Sequence, residues 1–307
     1  MTEAPTDATT ALRSETPKAS RPNRLWTRFR RWPAVPMLIL GVLVFGAVFA
    51  PLVAPHSPTL ATLRDRAKPP VWAEGGSARY ILGTDHQGRD VLSRIIYGTR
   101  ISLIIAVVAV SVSLAAGTAM GLVSGYYGGA VDEAIMRFVD LIRSIPFLLV
   151  ALVFVVVFGQ SFILLLILLS ITAWTGYARQ VRAEALQLRE REYVQSAKIA
   201  GASSLRIIYR HILPGVVSTI TVISTLQVGS LILAEASLSF LGAGVPPPTP
   251  AWGSMVADGR NYLQRAPWIA TFPGMAILLT VLAFNFLGDW LRDYFDPRLR
   301  QLGTRAR

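Results

Sequence analysis

The chain has 307 residues, 52% hydrophobic and only 16% charged, and its mean hydropathy is positive. That balance is far from a soluble average and marks a polytopic membrane protein. The net charge of +12 comes from basic residues that fall mostly at the ends of apolar runs, which fits membrane topology better than a nucleic-acid partner. The absence of cysteine excludes disulfides, thiolate zinc sites, iron–sulfur clusters and cysteine nucleophiles.

In chain order, residues 1–23 are rich in Thr, Ala, Pro and Ser without apolar periodicity and read as a disordered tail. Arg24, Arg28, Arg30 and Arg31, interleaved with Trp26, Phe29 and Trp32, read as a basic, aromatic membrane-surface anchor, closing a tail unit at residues 1–33. Pro36 to about Val53 is the first expected span; Pro51 after Ala50 argues against a cleaved signal peptide. With it, a polar segment up to residue 100 forms a second unit, 34–100. Within that segment Thr84 or Asp85 is expected to cap a short helix lying on the outer membrane surface, with Val91, Leu92, Ile95 and Ile96 on one face and Arg89, Asp90 and Ser93 opposite. Asp85, His86 and Asp90 fit solvated capping roles, and the three histidines, His56, His86 and His211, show no metal-ligand spacing.

A core unit, 101–292, follows. Ile101 to about Val123 is the second expected span, whose Ala115, Ala116, Gly117 and Gly121 permit close helix packing. An amphipathic helix over Asp132–Arg143 leads into a hairpin, Ile145–Phe158 and Phe162–Tyr177, turning at Gly159-Gln160-Ser161. The first arm is too short to cross about 30 Å of hydrocarbon without borrowing from the preceding helix. The fifth span is expected over Gly215 to about Gly242 and the sixth over Pro273–Leu291, with a Pro-rich loop between them. A basic tail, 293–307, closes the chain.

Six spans place both termini on one side. With the termini inside, inner segments carry 21 of the 30 Lys and Arg: 7 in the N-terminal tail, 2 in the second loop, 7 around residues 178–214 and 5 at the C-terminus. The positive-inside rule therefore places both termini in the cytoplasm.

Arg189–Pro214 is densely charged yet lies between two apolar runs, so it must sit in water. Glu192–Ala200 reads as one short helix, Gly201 as its left-handed stop, and Ser203 or Ser204 as the cap of a second helix running to His211. Pro214 opens the next apolar run, where its missing N–H costs little. The spacing of Gln195, Ser196 and Ala197, then Gly201, His211, Leu213 and Pro214, resembles the cytoplasmic Glu-Ala-Ala signature of ABC importer permeases. Gln195, Ser196 and His211 depart from the general pattern; His-Ile-Leu-Pro is similar to the variant of the peptide/nickel branch. The Leu82–Leu103 stretch and Gly288–Arg298 also resemble the C-type permease subunits of that branch.

The resemblance implies a type I ABC importer permease, all-α, in a bacterial plasma membrane. It implies a second permease subunit, one or two ATPase subunits and an extracytoplasmic solute-binding protein as partners, with peptides, or alternatively nickel or another small solute, as cargo. ATP and Mg would bind on the ATPases; this chain is expected to be no enzyme, to hold no cofactor of its own, and has no Gly-rich loop ending in Gly-Lys-Ser/Thr. Segment 189–214 would be the coupling loop gripped by the ATPase: Tyr193 and Val194 as hydrophobic knobs, Glu192, Arg191 and Lys198 setting register, Ala197 allowing close approach and Gly201 the turn. The tail Gly288–Arg298 would brace the ATPase side.

Inside the spans, Glu235 is expected either to line the translocation path or outer gate, or to be satisfied by a hydrogen bond between helices. Thr172 and Trp174 either face a cavity or serve helix packing. A proton- or ion-driven secondary transporter would require more ionisable residues at mid-membrane, and a membrane-embedded enzyme would require paired His or Asp residues within the spans.

Overall fold

The computed structural model describes residues 33–295. The expected tail and anchor over residues 1–32 and the end of the basic C-terminal tail lie outside the described residues. Within them the chain is helical, and β pairing is confined to an isolated bridge between Thr84 and Asp90.

The first helix, α1 (Ala34–Val48), breaks at Phe49 before a single further turn, Ala50–Val53. Pro51 explains the break: it has no N–H to give to the Ala47 carbonyl, and its ring crowds that carbonyl. The released carbonyls are taken by Arg100, whose Nε donates to the Ala47 oxygen and whose Nη2 donates to the Val48 oxygen at 3.0 Å.

Helix α2 (Val91–Tyr127) is 37 residues long. Its cap is Asp90, whose carboxylate accepts the Ser93 N–H at 2.9 Å; neither Thr84 nor Asp85 caps it. The separate surface helix expected here is instead the first turns of the span, and the boundary expected at residue 100 falls inside one continuous rod. The polar face expected in solvent is buried: Arg89, Asp90 and Ser93 are at most 6% exposed.

Gly128 (φ +67°) ends α2, and the amphipathic α3 (Gly129–Ser144) follows. The chain then bends by 74° into α4 (Phe147–Phe158), turns at Gly159, and enters α5 (Phe162–Arg189). Next come α6 (Glu192–Ile199) and α7 (Ser204–Phe240). A π-type turn over Ile208–Ile212 lies just before Pro214, where the regular i to i−4 bond is unavailable. The short α8 (Trp252–Gly259) and α9 (Trp268–Phe295) complete the described chain. The last span starts five residues earlier than the expected Pro273.

By length and composition, four helices (α2, α5, α7 and α9) suit a membrane crossing, and five if the bent pair α3–α4 is counted as one span; α1 is a shorter apolar helix.

The tightest packing joins α2 to α5. Gly117, Gly121 and Gly125, one turn apart, lie against the backbone of α5: a Cβ added there would come within 2.4 Å of the Trp174 oxygen, 2.7 Å of the Ala178 oxygen and 2.6 Å of Ala185 Cβ respectively. The small residues let the two backbones approach closely and gain van der Waals packing that bulkier side chains would prevent. Ala115 and Ala116, expected to share this role, are exposed. Around the seam, Ile105, Ala109, Leu165, Leu168, Leu169 and Leu238 form a buried core between α2, α5 and α7. At the far end of α2, α8 closes the bundle by burying Trp252, whose Nε1 donates to the Ile95 oxygen at 3.0 Å.

Candidate functional site

One end of the bundle gathers the charged segment that joins α5 to α7. Arg189 Nη1 donates to the Gly125 and Tyr126 oxygens at 3.3 and 3.2 Å, satisfying carbonyls at the end of α2. Gln195 Nε2 donates to the Arg189 oxygen at 3.0 Å and so closes the end of α5. Asp132 of α3 bonds Arg182 of α5, with Arg182 Nη2 at 2.6 Å, and accepts the Ser124 hydroxyl.

Below these clamps a second apolar core forms. Val194, Ile207, Ile208 and Ile212 pack with Leu122, Val181, Ala185 and Val216. The segment is therefore fused to the ends of three long helices.

Gly201 ends α6 with φ +78°, and the space where a Cβ would sit is empty to 4 Å. The turn needs glycine for its backbone conformation alone. Ser203 takes the cap position of α7 by place, without a side-chain hydrogen bond. The second short helix expected to stop at His211 continues through the π-type turn into α7, so the segment is an elbow on a rod.

Of the residues expected to meet a partner, Glu192, Tyr193, Ser196, Lys198 and Pro214 are exposed, and Gln195, Ala197, Leu213 and His211 are partly buried. Tyr193 lies beside His211, its hydroxyl 3.5 Å from the His211 oxygen. Val194, expected as a knob, is only 2% exposed and belongs to this chain's own core. Its place as the apolar projection is taken by Ile199, 87% exposed beside the Gly201 turn, with Leu205 and Tyr209 also exposed. An isoleucine two residues before a helix-stopping glycine, in an otherwise charged segment, was the signal for it. Lys198 and Gln195 also border a recess of about 460 Å³ with Tyr126, Tyr127 and Glu190.

Within the spans, Glu235 is 1% exposed and accepts the Ser239 hydroxyl at 2.6 Å. Its bond is within its own helix, in place of the expected bond between helices. Trp174 is buried against α3, stacked on Phe138 at 6.1 Å beside Val139, which fits packing. The Thr172 hydroxyl donates to the Leu168 oxygen at 2.9 Å, so its donor is satisfied within α5. Among the described residues, no cluster of three or more His, Asp or Glu is placed to hold a metal ion.

The opposite end of the bundle is a network folded over the start of α2. Asp65 pairs with Lys68 at 2.6 Å and accepts the Tyr80 hydroxyl at 2.8 Å. Lys68, then Tyr80, hold its carboxyl below the ordinary carboxylate range. Asp85 binds Arg89 and Arg94. Trp268 Nε1 donates to the Thr84 oxygen at 3.0 Å, tying α9 to the same loop.

Residues 117–301 match the family described as binding-protein-dependent transport system inner membrane component. The chain is 40% identical over 294 residues to the dipeptide transport system permease protein DppC of Haemophilus influenzae, covering 94% of this chain and all of that one. It is 44% identical over 278 residues to DppC of Escherichia coli K12 (90% and 93% covered). It is also 44% identical over 227 residues to the glutathione transport system permease protein GsiD of Pectobacterium atrosepticum (74% and 75% covered). A chain of the MetNI methionine ABC transporter in an inward-facing conformation superposes with a TM-score of 0.53 at 18% identity, over 66% of this chain and 95% of that one, which shows a shared fold. The matched region spans more than half of the sequence, and the Haemophilus influenzae relative covers 94% of it, so this chain belongs to the family of inner membrane components of binding-protein-dependent transport systems.

Proposed function

We propose that this chain is one of two permease subunits of an ATP-driven importer of peptides, and that the elbow 189–214 receives the push of a cytosolic ATPase. The observation that carries this reading is the elbow itself: exposed Tyr193, Ile199 and Leu205 project from a segment whose inner face is packed into the ends of α2, α5 and α7. A force on the elbow reaches α5 and α7 together, because its inner face packs against both. In this reading α1 makes the sixth span, with both termini in the cytoplasm, which the distribution of Lys and Arg supports. Hydrolysis belongs to the ATPase, which holds ATP and Mg; a solute-binding protein delivers the cargo from outside.

Peptides are favoured as cargo because relatives at 40–44% identity are named for dipeptide transport. Glutathione, itself a peptide, falls within the same reading through the relative named for it.

Gly201→Asp tests the elbow. It places a charge at the open tip without touching the packed face, and aspartate tolerates left-handed backbone better than most residues. In proteoliposomes holding the whole transporter, uptake falls at least about tenfold while assembly and basal ATP hydrolysis persist. Normal uptake by this variant refutes the role. Ala197→Asp is a weaker test, because Ala197 packs against the elbow's own core and its loss confounds coupling with folding.

A further inference from the structure

At the end of the bundle away from the elbow lies a cavity of about 680 Å³, bordered by the start of α2, the loop after α7, and α8. Its size falls within the range of small-molecule sites. His86, Arg89, Arg94, Ser239, Asp258 and Arg260 are among its lining residues.

The charges there do not balance. Asp85, behind the wall, is fully engaged: Oδ2 accepts from Arg89 Nε at 2.6 Å and Arg94 Nη1 at 2.8 Å, and Oδ1 accepts from the Gln87 and Arg89 N–H groups at 2.8 and 3.0 Å. One carboxylate therefore serves two guanidinium groups. Asp258 stands 3.6 Å from Arg89 Nη2, beyond good hydrogen-bonding range, and its side chain is 40% exposed. Arg260 lies over the Phe240 ring, 5.2 Å from its centroid, and has no ion pair among the described residues. Among the lining residues three guanidinium groups, of Arg89, Arg94 and Arg260, thus face one carboxylate, Asp258, while the buried Asp85 and Asp90 do not line the cavity.

Two buried atoms of the lining residues are also without partners: Arg94 Nε and His86 Nδ1. The Arg94 side chain is only 4% exposed, so its unmet donor is not simply left to bulk water. The His86 ring is held in place by stacking on Tyr262 at 5.5 Å. Glu235 does not line this cavity; it stands behind Ser239, which does.

We propose that this cavity is a transit subsite for carboxylate-bearing solutes: Arg260 and Arg94 receive the C-terminal carboxylate of a peptide, and Asp258 faces its α-ammonium. The assignment rests on the peptide reading above and adds where the zwitterion is held on this chain. An excess of guanidinium selects the carboxylate end, because Arg offers paired donors matched to it.

The test uses the purified transporter, both permease subunits with the ATPase, without binding protein, and saturation-transfer NMR with alanyl-alanine and with its C-terminal amide. The wild type binds the acid at least about tenfold more tightly than the amide, the worth of one charge-assisted contact. Arg260→Gln, on the exposed rim, brings the acid down to the level of the amide and leaves the amide unchanged. Arg94→Gln does the same if it folds; Arg260→Gln carries the test without it. Equal binding of acid and amide by the wild type overturns the proposal. So does an Arg260→Gln variant that weakens both alike. If that variant keeps dipeptide binding, the subsite is refuted; loss of stimulated ATP hydrolysis in a second assay with binding protein added would then make the cavity a docking surface. A wild-type transporter that imports other solutes but no peptide sinks the peptide reading itself, an outcome distinct from failed discrimination between acid and amide.

Discussion

The seam between α2 and α5 makes the sharpest structural prediction. At Gly121, an added methyl carbon would lie 2.7 Å from the Ala178 oxygen and 2.8 Å from Val181 Cβ, where ordinary contact begins at 3.4 Å. The Ala178 oxygen is backbone, so relief requires α5 to move away by about 0.7 Å, and close-packed interiors resist such shifts. Overpacking of this kind costs roughly 1–3 kcal/mol, and we expect about 2 kcal/mol for Gly121→Ala. Gly117→Ala meets the Trp174 oxygen at 2.4 Å and is expected to cost at least as much. The double variant should cost less than the two singles together, by about 0.5 kcal/mol or more, because one outward shift of α5 makes room for both methyls. Gly41→Ala is the control: nothing lies within 4 Å of its added carbon, and better helix propensity makes it neutral or stabilising by up to about 1 kcal/mol. Reversible unfolding in mixed micelles measures all four. A Gly121→Ala variant as stable as Gly41→Ala, or strictly additive costs, would refute the seam.

Arg100→Gln leaves the carbonyls freed at the Pro51 break without their guanidinium; a loss of about 1–3 kcal/mol and faster hydrogen exchange confined to residues 45–54 are expected, and unchanged exchange there contradicts the role. The Asp65 contacts predict an acid limit for the loop that covers α2. Its carboxyl is held below its unfolded value, so the contribution is complete above the ordinary range near about 3.9 and fades as pH falls through the lower folded value. Emission from Trp72 should be constant from neutral pH down to that range and change below it. Asp65→Asn should abolish the change, and an identical acid transition in that variant rules the contact out.

Much of the elbow was legible because its signals are local. Gly201 stops a helix through its own backbone, and a charged run between apolar runs is forced into water. The direction of Val194 was not legible, since an apolar residue on an eight-residue helix serves an internal core as readily as a partner. The seam was half legible: small residues announce close packing, but only the four-residue spacing of Gly117, Gly121 and Gly125 selects the face that meets α5. Asp85, Arg89 and Asp90, expected on a solvated face, are instead buried in a network with Arg94. Those residues are buried because distant parts of the chain, α8 and the loop carrying Asp65 and Tyr80, fold over them, and no short-range pattern encodes that. The same distance in sequence hid the cavity, whose walls come from residues as far apart as His86 and Tyr262.

The most direct test of the account places a cysteine at Ile199, the most exposed apolar side chain of the elbow, in a chain with no native cysteine. In membranes containing the assembled transporter, Ile199→Cys should be shielded from reagents added outside the cell, react with reagents admitted to the cytoplasm, and crosslink to the ATPase subunit. Labelling from outside alone, or a crosslink pattern indifferent to whether the ATPase is present, would contradict it.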